Sequence, residues 1–414
     1  MSGSTRVRVR DGALLVVAIG LVGLNLRGTI TAVGPLLDQI GDATGLSSAG
    51  LGLLSSLPLV CWAVVSPLTH GISIRLGMDR TVLWALVVLA AGTALRSLAG
   101  PAVGLWLGTA LTGVGLAIAS VLMPAVIKRD FPERVPAVTA TYTTLMGAFG
   151  ALTAGVVVPI SHLSAGGSEL GWSGALLATG VFIPVAIVCW IAAGRRRPRE
   201  PIALRGVASH GRTAVWRDGV AWLVAAYTGL QAASFYILMT WISPISMALG
   251  NSEEVAGFQN MLFQIIGMAS PLVLPLLLRG RRARYTPAIL PLIALVPSVG
   301  LLVAPQALPV WLFLWGPGFG TMFGTAIALV SLRARDPLTA TALSGMAQAV
   351  GYLLAGLGPV VFGWLHGLTG GWTAPLILLV LDLVAAAAVG WFVGRDRHVL
   401  DRVSRRERAT AARG

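Results

Sequence analysis

Twelve apolar runs of bilayer length divide this chain, and no soluble core could bury them all. They lie near 13–37, 48–72, 81–99, 102–124, 137–160, 172–194, 219–247, 255–278, 286–304, 308–332, 339–366 and 372–394. Crossing the hydrocarbon as a helix takes about 20 apolar residues, and a helix satisfies its backbone hydrogen bonds internally where no water can. Hydrophobic residues are 56% of the 414 and charged residues 11%, against about 25% charged in soluble domains. The chain is therefore expected to be an all-α, multi-pass membrane protein.

The net charge of +14 would suggest nucleic acid in a soluble protein, but its distribution points elsewhere. Of the 30 basic residues, 28 fall in the two tails and the even-numbered loops, including Arg75, Arg80, Lys128, Arg129, Arg134, Arg333 and Arg335. The odd-numbered loops carry Asp38, Asp42, Glu169, Glu253 and Glu254 instead. Basic loops stay in the cytoplasm, so both termini are expected there, with membrane lipid as a partner and no nucleic acid. The short basic N-terminus is followed by an apolar run too long for a signal-peptide core, so no cleavable signal is expected.

The basic, proline-containing linker 195–218 separates six runs from six. The expected organisation is a six-helix bundle over 1–194, the linker, a second six-helix bundle over 219–394 and a basic tail over 395–414. The halves repeat weakly at an offset of about 200 residues: Thr139-Ala140-Thr141 and Pro159 match Thr339-Ala340-Thr341 and Pro359. A parallel repeat of two six-helix halves implies pseudo-two-fold symmetry, with substrate handled near the midplane by rocking of the halves.

Two basic residues break the charge rule. Arg96, toward the end of the third run, is expected to snorkel to the interface. Arg27 has no such exit. A cation at the bilayer centre costs about 2.5–3.5 kcal/mol on insertion scales, so it is expected to face a protein interior or a wet cavity and bind substrate. Asn25, Gly28, Thr29 and Thr31 make its surroundings polar or small. In the eleventh run Ser344, Gln348 and Tyr352 recur every four residues, as do Tyr227, Gln231 and Phe235 in the seventh, so each set shares one helix face. Gln231, Tyr236, Gln348 and Tyr352, with Asn25, Tyr142 and Gln264, are the candidate neutral contacts to substrate. Asp382, a carboxylate deep in the twelfth run, is the candidate proton carrier. Gly316-Pro317-Gly318-Phe319-Gly320 and Pro359 are candidate hinges, because proline removes a helix hydrogen bond and glycine adds freedom.

Several blocks carry a family resemblance. They are Asn25-Leu26-Arg27-Gly28-Thr29-Ile30-Thr31-Ala32-Val33-Gly34-Pro35, Met123 to Pro132, Gly229-Leu230-Gln231 with Phe235-Tyr236, Leu332 to Asp336, and Leu343 to Gln348 with Gly351-Tyr352. These resemble the cyanate/2-nitroimidazole transporter family of the major facilitator superfamily. The resemblance implies the major facilitator fold, twelve helices in two bundles, and secondary transport of small polar or anionic solutes or efflux of small heteroaromatics. It also implies a monomer in the bacterial cytoplasmic membrane. The loop after the second run, with Arg75, Gly77 and Arg80, resembles the superfamily pattern G-x-x-x-D-R-x-G-R-R. Ile74 stands where the pattern has Asp, so the charge network of that loop is expected to be incomplete.

Other classes find no support. No nucleophile constellation or P-loop is visible, so neither an enzyme nor an ATP-driven pump is expected. Cys61 and Cys189 lie inside runs, and His70, His162 and His366 show no metal-ligand spacing, so no metal or cofactor is expected. The G-P motif of drug/proton antiporters is poorly matched in the fifth run by Val157-Val158-Pro159, although Gly356 to Pro359 resembles it in the eleventh.

Overall fold

The computed structural model describes residues 9–98, 102–165, 167–194, 214–278, 283–335 and 337–400. Most of the basic linker and tail lies outside the described residues. The chain is helical almost throughout. Helix α1 (Val9–Thr31) runs through a 3-10 turn, Gly34–Leu36, into α2 (Leu37–Thr44). Then come α3 (Ser48–Leu76), α4 (Met78–Arg96), α5 (Ala102–Asp130), α6 (Val135–Ser161), α7 (Gly171–Ala178) and α8 (Ile183–Gly194). After the linker follow α9 (Gly219–Ala248), α10 (Glu253–Ala269) and α11 (Leu274–Leu277). The chain continues with α12 (Thr286–Val303), α13 (Leu308–Arg333), α14 (Pro337–Thr369) and α15 (Thr373–Val393).

Eleven helical segments among the described residues are long and apolar enough to cross a membrane. The remaining expected span, near 255–278, is present as α10 and α11 joined by a 3-10 turn, Ser270–Val273. Pro271 and Pro275 each withhold a backbone donor there, so no single helix reaches bilayer length. A feature not expected from the sequence is a two-stranded ribbon between α6 and α7, pairing Ser164 with Glu169 and Ala165 with Ser168.

The chain forms two compact units. One holds α1, α2, α3 from Val60 onward and α4 to α8, together with Ile242–Met261 from the end of α9 and the start of α10. The other holds Ser47–Leu59 at the start of α3, α9 as far as Trp241, and everything from Leu262 onward.

Glycine sets the closest helix pairs in each unit. On α5 a Cβ at Gly108 would overlap Arg96, one at Gly115 would lie 2.7 Å from the Ala85 carbonyl, and on α4 one at Gly92 would lie 2.5 Å from the Thr112 nitrogen. Residues three and four apart share a helix face, so these positions form one seam along which α4 and α5 touch backbone to backbone, the small-residue packing of membrane helices. In the other unit, Gly390 and Gly394 bring α15 onto the carbonyls of Pro287 and Arg284. Large apolar side chains such as Trp84, Val103, Phe313, Phe323 and Leu381 are left exposed on the outside of the helices, where lipid rather than water suits them.

Candidate substrate-binding site

In the first unit the candidate residue Arg27 lies where α1 packs against α6. Gly150 of α6 lies flat against the side-chain stem of Arg27, so that a Cβ there would overlap Arg27 Cγ. Thr31 Oγ donates to the Gly150 carbonyl at 2.7 Å, and a Cβ on Gly28 would lie 2.8 Å from the Phe149 ring. Arg27 itself is half-buried. The stem of this long cationic side chain is thus held against α6 at Gly150.

The other candidates on this unit are more enclosed. Asn25 is wholly buried and donates to the Leu21 carbonyl at 2.7 Å. Thr29 Oγ donates in turn to the Asn25 carbonyl, so these residues brace α1. Tyr142 is 6% exposed and lies against Gly23, one turn before Arg27.

In the second unit, α9 and α14 meet closely where Gly229 faces Leu354 and Gly351 faces Thr228. Gln231 is buried and donates to the Thr228 carbonyl at 3.1 Å. Across this contact, on α14, Gln348 is exposed and donates to Ser344 Oγ at 3.0 Å, while Tyr352 is half-buried. Gln264 and Tyr236 are buried at 8% and 7% exposure. Tyr227, on the expected stripe with Gln231, lies instead in a hydrophobic cluster with Ala225, Leu329, Leu343 and Met346. The stripe of α9 is thus split, its first member serving the core.

An aromatic chain runs through this unit, and its middle member, Phe263, is the one the sequence pattern missed. Phe235 of α9 stacks on Phe263 of α10 at 5.7 Å between centroids, and Phe263 meets Phe319 of α13 edge to face at 6.1 Å. Asp382 of α15 accepts a hydrogen bond from Ser234 Oγ, three residues along α9 from Gln231.

The glycine-proline run of α13 is also a packing face. A Cβ on Gly316 would overlap Ile266, and one on Gly320 would overlap the Gly267 carbonyl and Ser270 Oγ. Gly318 lies against Ala294 of α12, and Pro317 is carried within a continuous helix. The Pro359 carbonyl of α14 accepts from Trp241 Nε1 at 3.1 Å and lies under Gly52.

The loop after α3 differs from expectation. Arg75 and Arg80 are exposed, and Gly77 begins α4 at φ +85°, a conformation that favours glycine. The expected gap in the charge network is filled from a different position. Arg129 pairs with Asp79 at 2.8 Å and with Asp130 at 2.8 Å, and Trp190 Nε1 donates to the Asp79 carbonyl at 2.9 Å. The carboxylate sits five residues beyond Ile74, in the first turn of α4, which is why matching the loop pattern missed it. Arg96 likewise does not snorkel: it is 1% exposed, among the most buried large side chains.

Comparison with known proteins fits this architecture. The profile of the Major Facilitator Superfamily matches residues 19–356. The chain is 36% identical over 401 residues to the 2-nitroimidazole transporter of Escherichia coli, covering 96% of this chain and 100% of that one. It is 35% identical to the uncharacterized transporter YycB of Bacillus subtilis, covering 95% and 97%. It is 28% identical to the cyanate transport protein CynX of Escherichia coli, covering 86% and 91%. Among solved structures, a D-xylose-proton symporter superposes with a TM-score of 0.78 at 15% identity, over 93% of this chain and 99% of that one. The nucleoside transporter NupG superposes with a TM-score of 0.73 at 12% identity, over 92% and 100%. The chain belongs to the Major Facilitator Superfamily and, within it, to the family of the 2-nitroimidazole and cyanate transporters.

Proposed function

We propose that this protein is a secondary transporter that moves a small anionic or polar solute across the bacterial cytoplasmic membrane by alternating access, with Arg27 as the charge anchor. The observation that carries this reading is the half-buried Arg27 on α1, its stem held against Gly150. Insertion of that charge costs about 2.5–3.5 kcal/mol, and a guanidinium offers a planar fork of donors that stays charged at any relevant pH. Gln231, Tyr236, Gln264, Gln348, Tyr352, Asn25 and Tyr142 supply neutral polar groups that add selectivity without a second full charge. Asp382 carries the coupling proton in this scheme, Gly316 to Gly320 and Pro359 accommodate the rocking, and the loop of Arg75, Gly77 and Arg80 faces the cytoplasm with both termini. The protein works as a monomer.

A second reading is favoured by one observation. The stacked Phe235 and Phe263 suit a flat heteroaromatic solute, in keeping with the relative that carries 2-nitroimidazole in its name. In that case the transporter is an efflux pump of small drug-like compounds.

Purified protein in liposomes, challenged with cyanate and with 2-nitroimidazole, separates the two. The anion reading expects cyanate flux that Arg27→Ala abolishes and Arg27→Lys reduces, in protein that remains folded. Normal cyanate flux in the Ala variant would end the anchor model. Flux of 2-nitroimidazole alone, insensitive to Arg27, would favour the second reading.

A further inference from the structure

Arg96 closes α4 in a setting unlike that of any other described cation. It is 1% exposed, and among the described residues no carboxylate pairs with it. Its Nη1 donates to the Thr29 carbonyl of α1 at 2.9 Å and its Nη2 to Thr179 Oγ at 3.3 Å. Nε is buried without a partner. Gly108 of α5 is pressed against its backbone, so closely that no side chain would fit there.

The carbonyl it takes is a particular one. In a continuous α-helix the Thr29 carbonyl would accept from the Val33 amide, but that amide turns to Ile30 at 3.2 Å as α1 gives way to the 3-10 turn. The break frees one acceptor in a region without water, where an unsatisfied backbone group is costly. Arg96 satisfies it. Thr29 follows Arg27 by two residues, about 200° around the helix at 3.6 residues per turn. Gly150 thus supports Arg27 from one side of α1 while Arg96 holds the backbone from the other.

We propose that Arg96 is a positioning residue for the Arg27 site: it fixes the break in α1 through the Thr29 carbonyl and adds an uncompensated positive charge behind the residue that meets the anion. The inference rests on the reading of Arg27 as anion anchor, and the experiment separates the two. Full-length wild type, Arg96→Met, Arg96→Lys and Thr179→Val are compared by amide hydrogen exchange and by cyanate and 2-nitroimidazole uptake in liposomes. In Arg96→Met the amides of Thr29 to Leu36 exchange about tenfold faster, since a charged hydrogen bond is lost, while exchange in α12 to α15 is unchanged. Cyanate KM rises about tenfold with kcat preserved, whereas 2-nitroimidazole uptake does not change. Arg96→Lys restores most of both effects. Thr179→Val, which keeps the charge, gives a smaller rise in the same exchange segment and decides the matter if Arg96→Met does not fold. Wild-type exchange over Thr29 to Leu36 in Arg96→Met, an increase spread over the whole protein, or no rescue by lysine would overturn the proposal. Failure of the wild type to take up cyanate would count against the anion reading alone, because the exchange measurement decides Arg96 without substrate.

Discussion

Gly150 of α6 lies so close to Arg27 of α1 that a Cβ on the glycine would overlap the arginine's Cγ and lie 3.0 Å from its Cβ. Mid-helix glycine is less favourable than alanine by about 1 kcal/mol, and close approach of the two helices is what that cost obtains. Gly150→Ala is expected to turn the Arg27 side chain out of position. The overpacking costs about 1–3 kcal/mol of stability. The misplaced head weakens cyanate affinity by about tenfold or more, as a small displacement at a binding centre does. A thermal melt with a binding titration checks both, and unchanged affinity would show that Gly150 serves packing alone.

The hydrogen bond from Ser234 to Asp382 links the deep carboxylate to α9, the helix that carries Gln231. If Asp382 carries the coupling proton, Asp382→Asn transports down a substrate gradient but no longer responds to an imposed pH gradient. Ser234→Ala keeps the response with a shifted midpoint, since it removes a neighbour and not the titrating group. Flux measured with and without the gradient decides this, and an intact response in Asp382→Asn would remove that residue from the coupling path.

His162, just beyond α6, joins two acidic residues of its unit: Nδ1 lies 3.4 Å from Glu169 and Nε2 lies 3.4 Å from Glu253. Glu253 also accepts a hydrogen bond from Gln39, which donates to Ser161 as well, and Glu254 adds a weaker negative field. The slight burial of His162 opposes protonation, but the hydrogen bonds and charges of Glu169 and Glu253 outweigh it and raise the pKa above the ordinary 6.5. A raised folded value means that the contribution is complete below about pH 6.5 and fades as pH rises through the folded pKa. The link between α6 and the start of α10 is therefore expected to be tightest in acid. Melting temperature should fall between mildly acidic and mildly alkaline buffer, and Glu253→Gln should flatten that slope by removing one partner. An identical slope in the variant would exclude the pair as its source. The side chains are substantially exposed, so the effect is small and weakens with salt.

The membrane spans are legible without coordinates, and so is the position of Arg27 inside the first of them. The eighth span shows the limit of such reading: its apolar length is plain in the sequence, but the turn at Ser270–Val273 that divides it is not. Arg96 shows another. Its place near the end of a run points to the interface, and only the packing of α1, α5 and Thr179 at the end of α7 around it makes it a buried cation.

What the sequence determined by itself follows from the bilayer as a solvent. A fixed thickness and the absence of water set helix length, polarity and the cost of a charge one segment at a time, without reference to neighbours. What the tertiary structure decided is which faces meet. Arg96 finds Thr29 at 67 positions' separation, Arg129 finds Asp79 at 50, and Thr31 finds Gly150 at 119. Helical periodicity tells which residues share a face, but these helices are apolar nearly all round, so the pattern does not say which face turns inward. Glycine seams and a few buried donors make that choice, and their partners are fixed only when the helices pack.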